Sequence, residues 1–105
     1  MNAKAGYVYV WQFVVKRDRE RDFENAYGND GEWALLFRRG AGYIRTELLR
    51  DRADSSRFVT IDYWESEAAF AAFRSRFANE FDTLDAKFAA WTTSEVEVGR
   101  FEPLA

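Results

Sequence analysis

The segment that most restricts the fold of this chain is apolar on both of its faces. Residues 7–15 read YVYVWQFVV, a run of aromatic and β-branched residues that is typical of a strand. Alternate residues of a strand point to opposite sides, and here both sides carry large apolar side chains, with Gln12 as the lone polar residue. Such a strand must be covered on both sides. It therefore predicts a sheet with helices on one face and a second sheet on the other.

Length and charge limit the class of protein. The 105 residues predict one domain spanning residues 1–105. The net charge of −3 argues against a nucleic-acid partner, because nucleic-acid-binding proteins carry a basic footprint. No segment resembles a membrane span or a signal peptide, so we expect no membrane partner and a cytoplasmic location.

The absence of two residue types excludes whole classes of chemistry. The sequence contains no Cys and no His. A disulfide, a thiol nucleophile, a Cys-ligated zinc site and a Ser–His pair are therefore impossible. The acidic residues at 80–85 have the spacing of an exposed helix face, and GAG at 40–42 lacks the third glycine of a dinucleotide-binding loop. We predict neither a metal nor a cofactor.

The rest of the sequence alternates between helix and strand patterns. In chain order, the predicted segments are helices over 17–27 and 32–39, strands over 43–51 and 57–64, one helix or two in tandem over 66–91, and a strand over 94–101. Asp18 and Ser66 are the expected helix N-caps. The order β-α-(α)-β-β-α-β predicts an α+β fold of ferredoxin-like type with an antiparallel sheet.

The pairing of the two central strands decides which side chains face the helices. We expect Leu49 opposite Phe58 and Arg45 opposite Asp62. In that register Thr46 and Tyr63 face the helices.

The faces of the sheet also predict the oligomeric state. Gln12 is expected on the helix side with Thr46 and Tyr63, which leaves Trp11, Phe13 and Trp64 on the uncovered side. That apolar surface is too large for a stable monomer. The sequence therefore predicts a homodimer that packs sheet against sheet.

Asp62 lies in the middle of an otherwise apolar strand. Burial of an unpaired carboxylate there costs several kcal/mol. Two interpretations remain open. Asp62 forms a cross-strand ion pair with Arg45, or it acts as a general base in a cavity.

A ligand pocket is predicted between the sheet and the helices. Three polar side chains, Gln12, Thr46 and Tyr63, are expected to face aromatic residues of the helices, a combination typical of small-molecule sites. The aromatic side chains expected to line the pocket are Tyr27, Trp33, Phe73 and Phe77. Phe70, Phe81 and Trp64 are assigned to core or dimer packing. The alternative is a filled core with no pocket.

At this point the chain resembles a known family, the antibiotic biosynthesis monooxygenase domains. The resemblance covers residues 7–102 and is carried by YVYVWQFVV (7–15), FENAYG (23–28), EWALLFRRGAGY (32–43) and RFVTIDYWESEAAFAAF (57–73). It implies a dimeric α+β barrel with an apolar cavity. It also implies oxidation of electron-rich aromatic substrates, such as anthrones, polycyclic phenols or quinols, by dioxygen without metal, flavin or haem.

Three functions are compatible with these observations. The first is a cofactor-independent monooxygenase acting on a small aromatic molecule. The second is a non-catalytic binding or regulatory module of the same fold, and the third is a lyase, cyclase or isomerase acting on a related skeleton. No residue is assigned as catalytic from the sequence; the candidates are Gln12, Asp62 and Tyr63.

Overall fold

The protein is a four-stranded antiparallel sheet with its helices packed on one face. The computed structural model describes residues 4–104, so residues 1–3 and 105 of the predicted domain lie outside the described part. In chain order the elements are β1 (Tyr7–Val15), α1 (Glu20–Tyr27), α2 (Glu32–Phe37), β2 (Tyr43–Arg50), β3 (Arg57–Trp64), α3 (Glu67–Arg76), α4 (Ala78–Phe88) and β4 (Thr92–Phe101). The sheet order is β2-β3-β1-β4, which confirms the ferredoxin-like α+β prediction.

The helix boundaries agree with the sequence pattern at one N-cap and differ at the other. Ser66 caps α3, where its Oγ accepts a hydrogen bond from the backbone N–H of Ala69 at 3.0 Å. Asp18 does not cap α1, because it lies inside a short 3₁₀ turn and the helix begins only after Arg19. The apolar stripe over 66–91 forms two helices in tandem, with the break at Phe77. No helix within residues 4–104 combines the length and the hydrophobicity needed to cross a membrane.

The predicted register between β2 and β3 is wrong by one residue. Arg45 pairs with Tyr63, Thr46 pairs with Asp62, and Leu49 pairs with Val59. The loop closes differently from the prediction because the backbone N–H of Asp51 donates to the carbonyl of Arg57 at 2.9 Å. Arg57 also forms an ion pair with the carboxylate of Asp51 at 2.9 Å. These contacts align Asp51 with Arg57 and so determine the register of the whole hairpin.

The assignment of residues to the two faces of the sheet must be corrected as well. Trp11 and Phe13 of β1 lie opposite Thr60 and Phe58 of β3, on the face that packs against the helices. Trp64, which was predicted on the uncovered face, is fully buried on the helix side. The uncovered face is apolar all the same. Its apolar residues include Val8, Val10, Val14, Leu49, Val59, Ile61, Val96 and Phe101.

The core is built almost entirely of aromatic rings. The Phe23 ring stacks on Tyr27 with 3.9 Å between centroids. Trp64 lies at the centre of a second group and contacts four rings at centroid distances of 5.1–6.0 Å. Three smaller residues on the helix side of the sheet, Thr46, Thr60 and Asp62, lie among these rings and border a cavity, and this is where the candidate site lies.

Candidate functional site

A cavity of about 730 Å³ lies between the sheet and the helices. Its floor includes three small polar residues, Thr46, Thr60 and Asp62, and the neighbouring positions of β1 on the same face carry large aromatic side chains. The helices add aromatic rings above the floor. The aromatic lining residues are Tyr7, Tyr9, Trp11, Phe13, Tyr27, Trp33, Phe37, Phe70 and Phe81. Polar and charged residues also line the cavity, so it combines aromatic faces with hydrogen-bonding groups, as small-molecule sites do.

Apart from the catalytic candidates Gln12 and Tyr63, five residues were predicted to line the pocket, and the structure places three of them on the cavity wall. Tyr27, Trp33 and Thr46 line the cavity. Phe73 and Phe77 do not. Phe73 packs into the core against Trp64, with 5.1 Å between ring centroids, and Phe77 packs against Phe73 at 5.4 Å.

Two phenylalanines that the sequence assigned to packing occupy the positions expected of Phe73 and Phe77. Phe70 of α3 and Phe81 of α4 line the cavity. Residues three or four apart lie side by side on one apolar stripe, so their spacing does not say which of them borders a cavity. The break at Phe77 also reorients Phe81 relative to α3.

Asp62 lies on the floor of the cavity and has a hydroxyl partner. Thr46, directly opposite it on β2, donates a hydrogen bond from Oγ1 to Asp62 Oδ1 at 2.6 Å. The Tyr43 hydroxyl lies 2.7 Å from the same Thr46 oxygen. The predicted ion pair between Asp62 and Arg45 is wrong, because Arg45 pairs with Tyr63 on the opposite face.

The surroundings of Asp62 alter its acidity. Burial among aromatic rings raises the pKa of the Asp62 carboxyl to about 7, and the hydrogen bond from Thr46 opposes part of that increase. A carboxyl group with a pKa near 7 is present in both protonation states at neutral pH. Such a group can take a proton from a ligand and later return it.

The raised pKa of Asp62 predicts a specific pH dependence of stability. In the unfolded chain an Asp titrates near 3.9, so the folded state binds the proton more tightly than the unfolded state. Asp62 therefore favours folding below about pH 4, and this contribution is lost as the pH rises through about 7. We expect the free energy of unfolding, measured with urea at pH 4 and pH 8, to fall by roughly 2–4 kcal/mol more in the wild type than in Asp62→Asn. Equal pH dependence in the two proteins would contradict this assignment.

Gln12 and Tyr63, the other two catalytic candidates, lie on the uncovered face and not in the cavity. Gln12 Oε1 accepts a hydrogen bond from Arg57 Nη2 at 2.6 Å. The Tyr63 hydroxyl donates to Glu47 Oε1 at 2.6 Å, and this hydrogen bond is the main reason that the pKa of Tyr63 is raised. The prediction that Gln12 and Tyr63 face the helices was wrong because β1 and β3 present their other sides to the helices.

The structure adds one polar floor residue that sequence reasoning missed. Thr60 is buried, lines the cavity, and makes no side-chain hydrogen bond within residues 4–104. It precedes Asp62 by two residues on β3, so strand alternation puts both on one face, roughly 6–7 Å apart. That period-two relationship was the available signal, once Asp62 was suspected.

Charged side chains surround the opening of the cavity. Arg74 lies over the Phe81 ring, with its guanidinium carbon 3.8 Å from the centroid, and Arg100 donates from Nε to Glu97 at 2.9 Å. Glu67, Asp85 and Glu95 are the acidic residues of the lining near the opening. In the described part of the chain, no group of three or more acidic residues is arranged to hold a metal ion.

Comparison with known proteins identifies the family. Residues 7–78 match the antibiotic biosynthesis monooxygenase family, and the chain belongs to this family. No curated protein shows a significant match to the chain.

Solved structures show the same fold. A variant of SnoaB, a cofactor-independent oxygenase from Streptomyces nogalater, superposes with a TM-score of 0.80 at 22% identity, covering 97% of this chain and 96% of SnoaB. A candidate antibiotic biosynthesis monooxygenase from Nitrosomonas europaea gives a TM-score of 0.70 at 22% identity, covering 94% of this chain and 99% of that one. At these identities the likeness establishes the fold, and the chemistry must be argued from the cavity.

Proposed function

We propose that the protein is a cofactor-independent monooxygenase that uses dioxygen to oxidise an electron-rich aromatic molecule, such as an anthrone, a polycyclic phenol or a quinol. The observation that carries the proposal is the position of the Asp62 carboxyl group, whose pKa is raised to about 7, on the floor of a cavity lined by aromatic rings. Membership of the monooxygenase family and the likeness to a cofactor-independent oxygenase support it.

Asp62 supplies the step that makes such a substrate reactive. The carboxylate removes a proton from the acidic C–H of an anthrone or the O–H of a quinol, and the electron pair stays on the substrate as an enolate or phenolate. This electron-rich anion reduces dioxygen. In an anthrone, one oxygen atom becomes the new carbonyl of a quinone. The other leaves as water, together with the two hydrogens of the oxidised carbon. Asp62 takes up the first proton and returns it when the peroxide loses water.

The rest of the cavity holds the substrate and shields it from solvent. Rings such as Tyr9 and Trp11 offer flat faces on which a fused aromatic system can stack. The Thr60 hydroxyl is free to donate a hydrogen bond to a substrate oxygen. Exclusion of water strengthens both interactions and protects the anion from reprotonation by solvent.

Oxygen consumption tests the proposal. The metal-stripped protein is mixed with anthrone, 1,8-dihydroxyanthrone or 1,4-naphthohydroquinone, and uptake is compared with autoxidation in the absence of protein. We expect protein-dependent uptake and one labelled oxygen atom in the quinone formed from anthrone under isotopically labelled dioxygen. Tight binding without uptake across the panel would instead favour a non-catalytic binding module. Rearrangement of a bound compound without oxygen consumption would favour a lyase, cyclase or isomerase.

The uncovered face of the sheet is proposed to bind a second copy of the chain. Val10 lies near the centre of this apolar face, opposite Ile61 of β3, and Val96 and Phe101 at its edge are half exposed. Its charged residues lie on β2 and β3, so a twofold axis could pair the uncharged part formed by β1 and β4 with itself. A sheet-to-sheet dimer would cover the second apolar side of β1 and explain its unusual composition.

The dimer is tested by light scattering after size-exclusion chromatography. We expect the wild type to have twice the 12.3 kDa chain mass. Val10→Glu should be monomeric, because burial of an unpaired charge at the interface costs several kcal/mol. Ala72→Glu, on the exposed side of α3, is the control and should remain dimeric. A monomeric wild type would contradict the proposal.

A further inference from the structure

We propose that Tyr43 and Thr46 form a switchable hydroxyl chain that positions Asp62 and satisfies its hydrogen bonding both as carboxylate and as carboxylic acid. The inference rests on the proposed function of Asp62 as the base, and it makes Tyr43 and Thr46 positioning residues. Neither of them needs to touch the reacting atoms.

An irregularity in β2 creates the chain. Tyr43 and Thr46 are three residues apart, so in a regular strand they would point to opposite faces. The pairing of β2 with β3 shifts between Tyr43 and Arg45, so that Tyr43 lies opposite Trp64 and Thr46 lies opposite Asp62. Trp64 and Asp62 share a face, so Tyr43 and Thr46 do as well. A bulge of this kind redirects a side chain, and here it brings two hydroxyl oxygens to 2.7 Å.

The number of hydrogens determines the direction of each bond. A threonine hydroxyl carries one hydrogen, and that of Thr46 is donated to Asp62 Oδ1. Tyr43 must therefore be the donor to Thr46 when Asp62 is ionised. When Oδ1 is protonated the order reverses: Asp62 donates to Thr46, and Thr46 donates to Tyr43. Tyr43 is only partly buried, so its own hydrogen can then go to water.

Reversal of these hydrogen bonds matters because Asp62 takes a proton and returns it in the proposed reaction. Because burial removes Asp62 from water, a hydrogen bond left unmade in one protonation state would favour the other state. The chain leaves no such penalty in either direction. It also engages Oδ1, which leaves Oδ2 as the oxygen available to the substrate.

Titratable groups other than Asp62 also line the cavity. Those lining it are Tyr7, Tyr9, Tyr27, Glu67, Arg74, Asp85, Glu95 and Arg100. Outside the cavity, the positive charge of Arg38 opposes the increase in the pKa of Tyr43 that burial causes. Burial and the Thr46 hydrogen bond are the causes that shift the pKa of Asp62. Loss of that single bond should therefore be measurable.

The test follows the Asp62 side-chain carboxyl carbon by ¹³C NMR through a pH titration of the full-length protein, with the signal assigned by its loss in Asp62→Asn. Thr46→Val keeps the shape and removes the hydroxyl. Because a hydrogen bond to the carboxylate is stronger than one to the neutral acid, its loss should cost the carboxylate more, and we expect the acid dissociation constant of Asp62 to fall roughly tenfold or more. Thr46→Ser retains a hydroxyl and should restore the wild-type titration to within about twofold. Tyr43→Phe should give an intermediate fall.

An unchanged titration in Thr46→Val, with a folded protein by amide NMR spectra, would overturn the proposal. So would a Thr46→Ser variant that titrates like Thr46→Val.

A second readout separates this inference from the proposed function. The pH dependence of oxygen uptake with 1,8-dihydroxyanthrone should move to higher pH in Thr46→Val, in parallel with the NMR titration. If neither the wild type nor Thr46→Val consumes oxygen, the monooxygenase proposal fails, while the titration still shows whether the hydroxyl chain exists. If uptake occurs and its pH profile stays fixed although the titration moves, the chain does not serve catalysis and the inference fails.

Discussion

Asp62→Asn is expected to lower the rate of oxygen uptake with 1,8-dihydroxyanthrone by roughly 10²–10⁴-fold, the usual contribution of a positioned general base. The asparagine amide has nearly the same shape, and its oxygen can still accept the hydrogen bond from Thr46, which lies 2.6 Å from Asp62 in the wild type. What the variant loses is the ability to bind a proton. The loss should therefore appear in kcat, with little change in the dissociation constant of the substrate.

The control for this experiment is Asp18→Asn. Asp18 is exposed in the turn before α1 and does not line the cavity, so the same chemical change there should leave uptake unaltered. Uptake by Asp62→Asn at more than about a tenth of the wild-type rate would show that the proton leaves by another route.

Trp64→Ala is expected to destabilise the protein by about 3–5 kcal/mol, in the range of large-to-small changes in a core. Trp64 is fully buried and its ring contacts Phe37, Tyr43, Phe70 and Phe73. Three of these neighbours bear directly on the site, since Phe37 and Phe70 line the cavity and Tyr43 contacts Thr46. Truncation should therefore damage the fold and the site together.

Trp64→Phe should cost much less than Trp64→Ala. The Trp64 indole Nε1 is buried and has no hydrogen-bond partner in the described structure. Its removal eliminates an unsatisfied group that costs about 1–3 kcal/mol, which offsets part of the lost packing. Urea unfolding of both variants measures the difference, with Leu35→Ala on the exposed side of α2 as a control expected to change stability by less than about 1 kcal/mol. Equal losses in the Phe and Ala variants would contradict this account of Trp64.

The order of elements could be predicted from the sequence because it depends on local signals. The aromatic and β-branched run of β1 and the N-cap at Ser66 are properties of short segments, and both appear in the structure. The predicted cap at Asp18 was wrong because a 3₁₀ turn delays the start of α1 until Glu20.

The face of each strand could not be predicted, since it depends on contacts between distant residues. β1 is apolar on both sides, so its composition does not say which side meets the helices. The β2–β3 register depends on the closure of one loop by Asp51 and Arg57, and an error of one residue reverses the faces.

The candidate site was predicted in part for the same reason. Asp62 was suspected because a carboxylate is costly in an apolar strand, and that argument needs no register. Its partner was misassigned as Arg45, because identifying Thr46 requires the register as well as the irregularity at the start of β2. Without knowledge of that irregularity, Tyr43 could not be suspected at all.

Removal of a proton from an aromatic substrate by Asp62 should be visible in an absorption spectrum recorded without oxygen. With dioxygen excluded, 1,8-dihydroxyanthrone is mixed with excess protein at a pH where the free compound is neutral. We expect the wild type to generate the spectrum of the bound anion, whereas Asp62→Asn should bind the compound and leave it neutral. Binding of the neutral compound by both proteins, or formation of the anion by both, would contradict the role of Asp62.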